Sequence, residues 1–322
     1  MNKIKKEEII YLLKKRKLED FKKISIFEKM LIAERGYVFK MPKRGSNVIL
    51  LLSGGLDSIV TWGILMKEYG LNVYPITLNR GEKRRKKELA SIKFFNLLYK
   101  KLYPAHHRDF FSIDPGLSNI AIKIEDGIGV LTAETILNSF KNGEVDFNAS
   151  LGVFTIFPFF ARTYAMYLNS TKGLNIDTIF CGVVANDGEH ISFQSLTSLR
   201  SIACNLCVPI KDYSWQFSSL CLEPEIGSFM RKSDLIKWGF KNNLPLEKTW
   251  SCYHAKKFQC GGADCVACGE RKNSFINANV KDKSIYKSIY KSIDMQELNL
   301  KKIMKKISIK LKRIIKKLFR SS

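Results

Sequence analysis

Apolar runs broken by glycines and by charged segments organise the first third of the chain. The apolar run Val48–Leu52 ends at SGGLDS (Ser53–Ser58), and apolar residues then resume as far as Gly70. This pattern predicts a buried strand, a tight turn and a helix of about three turns. The segment Asn72–Leu78 predicts a second strand, and residues 81–103 predict a basic-headed amphipathic helix. Strand–helix–strand–helix order is typical of a parallel sheet with helices on both faces, so we predict an α/β fold.

The middle of the chain continues this alternation. Residues 152–170 predict a helix, Ile176–Val184 a strand, residues 185–192 a loop, and Arg231–Asn243 a short helix. The pattern as a whole predicts four segments: a helical N-terminal extension (1–45), the α/β domain (46–250), a cysteine-rich knuckle (251–276) and a basic amphipathic helical tail (277–322). In the tail, one apolar helix face is formed by Ile303, Ile307, Leu311, Ile314 and Leu318.

The chain carries a large positive charge that is concentrated at its C-terminal end. The formal net charge is +24, and residues 281–322 hold 14 lysines and arginines against three acidic residues. Such a tail favours an anionic partner, which could be nucleic acid, a phosphate-rich ligand or a membrane surface, although a solubilising lysine-rich helix has the same composition.

Apolar segments are too short for a membrane span of about 18 residues, and the charged N-terminus is unlike a secretory signal. We therefore expect a cytoplasmic protein whose eight cysteines are thiols or metal ligands.

The glycine turn predicts an anion site. A strand entering a glycine-rich turn that opens a helix presents unpaired backbone N–H groups and a partial positive charge. Glycine lets this backbone approach phosphate oxygens, and two serine hydroxyls add donors. No Gly-Lys-Ser/Thr follows, so the turn is not a Walker P-loop. The candidate phosphate-binding residues are Ser53, Gly54, Gly55, Leu56, Asp57 and Ser58.

Four cysteines within 17 residues predict a metal site. Cys252, Cys260, Cys265 and Cys268 have the spacing C-x7-C-x4-C-x2-C. Four thiolates suit a structural Zn²⁺, with an iron–sulfur cluster as the weaker alternative and His254 as an alternative ligand. The remaining cysteines, including Cys204-x2-Cys207, are interpreted as core or loop thiols.

These motifs together resemble one family. SGGLDS resembles the PP-loop of the ATP pyrophosphatases. Together with TWSCY at 249–253, the four cysteines and the trailing Arg271-Lys272, it is similar to the 7-cyano-7-deazaguanine synthases of queuosine biosynthesis. The resemblance spans residues 47–275. It implies a PP-loop domain of the adenine nucleotide α-hydrolase type, with ATP, Mg²⁺ and Zn²⁺ as cofactors.

The resemblance also implies a reaction. Family members adenylate 7-carboxy-7-deazaguanine, let ammonia displace AMP to form the amide, and dehydrate the amide in a second activation. It implies that Ser53, Gly54, Gly55, Asp57 and Ser58 hold the pyrophosphate and the metal, and that Asp57 and Lys232 are the catalytic residues. Lys232 is expected to contact phosphate, with a solvated helix lysine as the alternative. Homologous enzymes are often dimers, so a homodimer is expected.

The sequence departs from the family at the substrate. LGVFT at 151–155 lacks the family's Arg and Asn, and Val184 replaces another Asn. The family's substrate loop is replaced by Asp187-Gly188-Glu189-His190. Arg162 could partly substitute for the missing arginine, with a surface helix arginine as the alternative. Phosphate handling and the knuckle are retained, whereas base recognition is altered.

Three functions therefore stay open. The first is acyl activation by ATP of a deazapurine carboxylate and its joining to ammonia or to an amine, in queuosine-type synthesis or in anti-phage conjugation. The second is a tRNA-modifying PP-loop enzyme that binds RNA through the tail. The third is a non-catalytic nucleotide sensor or scaffold that docks a partner through the tail.

Overall fold

The computed structural model describes most of the chain. The described residues are 3–79, 84–114, 121–124, 127–130, 153–189, 191–254, 257–261, 265–284 and 286. Within these ranges, no helix has the length and apolar character needed to cross a membrane. The predicted apolar face of the tail lies outside the described residues.

Helices and strands alternate along the chain as the pattern predicts. The helices are α1 (Lys6–Lys14), α2 (Phe21–Arg35), α3 (Leu56–Lys67), α4 (Arg85–Leu102), α5 (Val153–Lys172), α6 (Leu196–Cys207), α7 (Lys232–Lys241) and α8 (Val266–Ala278). The strands are β1 (Asn47–Leu51), β2 (Asn72–Leu78), β3 (Phe111–Ile113), β4 (Ala121–Ile124), β5 (Gly127–Val130), β6 (Thr178–Cys181), β7 (Gln216–Ser219), β8 (Leu222–Glu223) and β9 (Ser228–Phe229). The predicted second strand and the helix predicted after the glycine turn are confirmed. The short helix predicted over Arg231–Asn243 is also confirmed and spans Lys232–Lys241.

One seven-stranded sheet forms the centre of the fold. Its order is β3-β2-β1-β6-β7-β8-β9; the first five strands are parallel, β8 pairs antiparallel with β7, and β9 at the edge pairs antiparallel with β8. The chain first builds outward from β1 to β3 and then restarts on the other side of β1 with β6. This reversal leaves a crevice between the carboxyl ends of β1 and β6, where ligands bind in open α/β sheets.

The two faces of the sheet are each covered by helices. Along β1, Val48 and Leu50 belong to one buried apolar cluster, while Ile49 and Leu51 belong to another. Successive side chains of a strand point to opposite faces, so this alternation shows that both faces are dry. The first cluster packs α3, α4, α7 and α8, and the second packs α1, α2, α5 and α6. The predicted α/β class is confirmed.

The N-terminal helices are part of the second core. Ile9, Leu13 and Leu31 are fully buried there. The Glu19 carboxylate caps α6, accepting the backbone N–H groups of Leu196 and Thr197 at 2.9 and 3.0 Å. These contacts tie the segment to the sheet, while the four segment boundaries drawn from the sequence remain predictions.

The isolated thiols lie in the core, as predicted. Cys181, Cys204, Cys207 and Cys221 are buried and free. The Cys207 thiol donates to the Trp215 carbonyl at 3.3 Å. Burial raises the pKa of Cys204 and Cys207 to about 11, so both are protonated and unreactive at neutral pH.

Candidate functional site

The glycine turn lies at the crevice between β1 and β6. It joins the end of β1 to the first turn of α3. Gly182, just after β6, packs so closely on this turn that a Cβ there would lie 2.8 Å from the Ser58 Cα. The strand after the crossover therefore closes one side of the turn, and the N-terminus of α3 faces the crevice.

Hydrogen bonds within the turn fix its shape. The Ser53 N–H donates to Ser58 Oγ at 3.2 Å, and the two hydroxyl oxygens are 3.1 Å apart. The Gly55 N–H donates to Ser53 Oγ at 3.3 Å. The first backbone bond of α3 runs from Ile59 N–H to the Gly55 carbonyl at 3.1 Å. Backbone N–H groups that precede this bond have no acceptor within the helix, which is the feature that an oxyanion would use.

Gly54 is required for a reason that the sequence did not reveal. Its φ is +80°, and a Cβ would lie 2.5 Å from the Glu88 carbonyl oxygen on α4. Its own carbonyl accepts the Ser91 hydroxyl at 2.8 Å and the Trp250 N–H at 3.2 Å. Glycine here thus permits close packing against α4, in addition to the approach of an anion that the sequence suggested.

Lys232 connects three carboxylates beside the turn. Its Nζ is 3.3 Å from Asp57 Oδ2 and 3.4 Å from Glu270 Oε2. Asp187, on the turn after β6, also interacts electrostatically with Lys232. Lys232 is 9% exposed, so the alternative of a solvated helix lysine is wrong. Asp57 and Lys232, 175 positions apart in sequence, meet in one charge cluster.

The cluster has more negative than positive charge. Burial raises the pKa of Asp57, and the nearby Lys232 opposes the rise. Burial raises the pKa of Asp187 to about 7. The Lys232 ammonium lowers this pKa, and the Asp57 carboxylate raises it. Burial would lower the pKa of Lys232, but Asp57, Asp187 and Glu270 raise it well above its ordinary value. Asp57 Oδ1 is buried without a hydrogen-bond partner among the described atoms, and this unused acceptor suits a cation.

Backbone contacts hold the Asp187 turn next to α7. Asp187 Oδ2 accepts the Val184 N–H at 2.9 Å, and the Ala185 N–H donates to the Met230 carbonyl at 2.8 Å. The Lys232 N–H lies 3.4 Å from Asn186 Oδ1. The turn and the first residue of α7 are therefore positioned together.

The four predicted metal ligands converge. The sulfurs of Cys252, Cys260, Cys265 and Cys268 all lie within 4.8 Å of one another. Sulfurs that share a single tetrahedral ion at about 2.3 Å are about 3.8 Å apart, so the group fits one ion. His254, the alternative ligand, is not part of the group.

The cysteine cluster touches the glycine turn through Trp250. The Trp250 indole N–H donates to the Cys252 carbonyl at 2.7 Å, while its backbone N–H reaches Gly54. On the other side, α8 carries both Cys268 and Glu270, the partner of Lys232. The knuckle is therefore built against the charge cluster.

Arg271, part of the sequence that resembles the family, is buried and binds other residues of the protein. It is 1% exposed and donates to Thr249 Oγ1 at 2.7 Å, to the Leu246 carbonyl at 2.9 Å and to Asp282 Oδ2 at 2.8 Å. It fastens the segment before the knuckle to the segment after it.

Arg162 does not replace the arginine that the family motif contains. It is 7% exposed, its Nη1 donates to the Leu206 carbonyl, and its guanidinium lies 4.7 Å from the Phe159 ring. These contacts commit it to the packing of α5 on α6. The LGVFT segment that prompted this hypothesis lies outside the residues whose side chains are described.

Sequence reasoning missed Glu270 and the charge role of Asp187. Glu270 sits within the motif C-G-E-R-K beside the cysteines, where no periodicity singles it out. The available signal was its position two residues after a metal ligand, on a helix that had to pack near the turn.

Comparisons with known proteins point to one family. The family model described as "Queuosine biosynthesis protein QueC" matches residues 225–279, which include Lys232, Glu270 and the four cysteines. A 7-cyano-7-deazaguanine synthase from a Nitratiruptor species is 29% identical over 255 residues, covering 75% of this chain and 99% of that protein. The 7-cyano-7-deazaguanine synthase from a Prochlorococcus marinus subsp. pastoris strain is 27% identical over 244 residues, covering 75% and 98%.

A solved structure was also found. The U34-tRNA thiolase NcsA from Methanococcus maripaludis, with its 4Fe-4S cluster, has a TM-score of 0.37 and 14% identity over 80% of this chain and 72% of that chain. A likeness at this level carries no argument about function.

Proposed function

Because the chain is a divergent QueC-like member of the 7-cyano-7-deazaguanine synthases, we propose that it uses ATP to activate a carboxylate and joins the acyl group to nitrogen. The observation that carries this proposal is the juxtaposition of the α3 N-terminus with the Asp57–Lys232–Glu270 cluster at the β1/β6 crevice. The substrate we propose is 7-carboxy-7-deazaguanine or a related deazapurine carboxylate.

A carboxylate needs activation because its oxygen is a poor leaving group. In the first step a carboxylate oxygen attacks the α-phosphorus of ATP, which releases pyrophosphate and leaves an acyl adenylate. Ammonia then attacks the acyl carbon, AMP departs, and an amide remains. For a nitrile product, the amide oxygen attacks the α-phosphorus of a second ATP and releases a second pyrophosphate. Loss of both N–H protons and departure of AMP with the former amide oxygen then leave the nitrile.

We assign the departing pyrophosphate to the turn Ser53–Ser58. Its backbone N–H groups and the α3 dipole stabilise the charge that develops on the leaving group. Lys232 lies beside this position with an ammonium whose raised pKa keeps it charged. Its role is to neutralise phosphate oxygens.

Mg²⁺ would be held by Asp57. The unpartnered, buried Oδ1 of this carboxylate is an oxygen ligand of the kind that Mg²⁺ takes together with phosphate oxygens. When bound, the ion neutralises phosphate charge. We propose Zn²⁺ for the cysteine cluster, because four sulfur ligands at this spacing close a tetrahedron and leave no open position.

The acceptor nitrogen distinguishes two forms of the proposal. If the acceptor is ammonia, the reaction is queuosine-type synthesis. If the acceptor is an amine on a protein or nucleic acid, the reaction is a conjugation, for which we propose a role in anti-phage defence. The net charge of +24 supports an anionic partner for the second form. A role for the basic tail and a homodimer remain proposals. A cytoplasmic location is also a proposal, which the absence of a disulfide among the eight cysteines supports.

Pyrophosphate release tests the proposal. The protein is mixed with MgATP, with and without 7-carboxy-7-deazaguanine and ammonium, and pyrophosphate, phosphate and the products are measured. We expect acid-dependent pyrophosphate and an amide or nitrile by mass spectrometry. Asp57→Asn should lower the rate at least a hundredfold, whereas Asp109→Asn, a change in a largely exposed carboxylate, should not.

Other outcomes select the alternatives. Pyrophosphate release that requires RNA would favour a tRNA-modifying enzyme. Tight ATP binding without turnover of any acid would favour a nucleotide sensor or scaffold. Full activity of Asp57→Asn would refute the assignment of the turn.

A further inference from the structure

Arg16 joins the N-terminal segment to the turn after β6. It lies between α1 and α2, and its Nη2 is 3.1 Å from Glu189 Oε1. The side chain is 8% exposed, and the guanidinium lies 5.2 Å from the Phe229 ring centre. A planar arginine fork between an aromatic ring and a carboxylate has a restricted set of positions. Arg16 is thus placed to hold Glu189 from outside the turn.

The Arg16 guanidinium keeps one hydrogen-bond donor unpaired in this arrangement, within the described part of the chain. Its Nη1 is buried and has no hydrogen-bond partner among the described atoms. Burial lowers the pKa of Arg16, while the carboxylates of Glu189, Glu19 and Asp187 oppose this effect. A buried donor without an acceptor is costly, so the pair gains if Glu189 turns to accept from both nitrogens.

The turn that Arg16 contacts through Glu189 also contains Asp187, one of the three carboxylates around Lys232. Asp187, Gly188 and Glu189 form one short 3-10 turn, which is also bonded to Met230 through Ala185. Glu189 and Asp187 are therefore two positions apart on one turn, and fixing the first restricts where the second can lie. The turn is held by hydrogen bonds to Met230 and to the first residue of α7, by its own internal bonds such as Val184 N–H to Asp187 Oδ2, and by Arg16.

We propose that Arg16 is a positioning residue for the activation reaction. It clamps the Asp187–Glu189 turn and so sets the distance between the Asp187 carboxylate and Lys232. This role rests on the proposed function for its catalytic consequence, but the clamp itself is a property of the folded chain. The N-terminal helices then contribute to the site as well as to the core.

The test combines hydrogen exchange with kinetics. The variants are Arg16→Gln, Glu189→Gln and the charge exchange Arg16→Glu with Glu189→Arg. The control is Arg35→Gln, because Arg35 of α2 is also partly buried but donates to backbone carbonyls of Val38, Tyr213 and Trp215.

We expect Arg16→Gln and Glu189→Gln to speed amide exchange at residues 185–189 about tenfold, which corresponds to about 1.4 kcal/mol. The kcat for pyrophosphate release should fall about tenfold, with the KM for ATP changed less than threefold. The double variant with exchanged charges should recover most of the slow amide exchange and most of the kcat. Arg35→Gln should lower the Tm and leave the exchange of the turn and kcat unchanged.

Two results would overturn the proposal. One is exchange and kcat of Arg16→Gln within twofold of the wild type. The other is an equal loss of kcat in Arg35→Gln, which would indicate general destabilisation. If the wild type releases no pyrophosphate with any acid, the proposed function fails, and the exchange measurement still decides whether Arg16 holds the turn.

Discussion

Replacing Lys232 with methionine removes the ammonium that faces three carboxylates. Each of its two closest contacts, 3.3 Å to Asp57 and 3.4 Å to Glu270, represents about 5 kcal/mol of Coulomb energy at an effective dielectric constant of about 20. Removing the ammonium also removes its own desolvation cost, which is several kcal/mol. Breaking a buried pair in this way costs about 3–5 kcal/mol. We expect about 3 kcal/mol, because the side chains of Asp57 and Glu270 are 23% and 35% exposed and remain partly screened.

The stability deficit of Lys232→Met should change with pH in a definite direction. Burial raises the pKa of Asp187 to about 7, above its unfolded value, so the folded state binds protons that the unfolded state has lost. Without Lys232 the pKa of Asp187 and of Asp57 rises further. The deficit of the variant relative to the wild type is therefore small at pH 5, where the carboxylates can be protonated, and grows as the pH rises towards 8.

Thermal unfolding without nucleotide measures this deficit. At about 2.1 cal/mol/K of unfolding entropy per residue, a loss of about 3 kcal/mol lowers the Tm of this 322-residue chain by roughly 4 °C. Lys237→Met is the matched control, since Lys237 is exposed on the same helix. The reasoning would be refuted if Lys232→Met were as stable as Lys237→Met at pH 8, or if its deficit grew towards pH 5.

Three further predictions concern the knuckle, the turn and the core. Cys265→Ser should abolish stoichiometric zinc and lower the Tm; unchanged metal content by mass spectrometry would remove the metal site. Gly54→Ala should destabilise by about 3 kcal/mol or more in denaturant unfolding, because its added Cβ meets backbone. Gly36→Ala, at nearly the same φ but with open space around it, should cost only about 1 kcal/mol; equal costs would contradict the packing explanation. Arg200→Met, which leaves two carboxylates uncompensated, should cost about 3–5 kcal/mol, against less than about 1 kcal/mol for Lys100→Met in an exposed pair.

Local patterns predicted the elements that local interactions specify. The strand β1, the glycine turn and α3 follow from one apolar run with a break, and β2 has the predicted bounds Asn72–Leu78. Cysteine spacing indicated the convergence of four sulfurs because a metal site needs only short loops between ligands. In each case the decisive residues are neighbours in sequence.

Contacts between distant residues were not predictable in this way. Nothing in the spacing of Asp57 and Glu270 shows that both approach Lys232, because the meeting depends on how α7 and α8 pack against α3. The burial of Arg16 against Glu189 depends on where the N-terminal helices dock, which no pattern within those helices specifies. The reason for Gly54 lies in the backbone of α4, beyond the reach of any motif.

The bond from Trp250 to the Gly54 carbonyl has a consequence during synthesis on the ribosome. A nascent chain that has emerged as far as residue 240 contains every residue of the glycine turn but lacks both Trp250 and the knuckle. At about 5–20 residues per second, N-terminal parts fold while later parts are still being made. Until Trp250 is made, nearly two hundred residues after Gly54, Ser91 is the one described donor available to the Gly54 carbonyl. Completion of the site therefore waits for Trp250 and the cysteines, and a chain interrupted before Trp250 lacks this support.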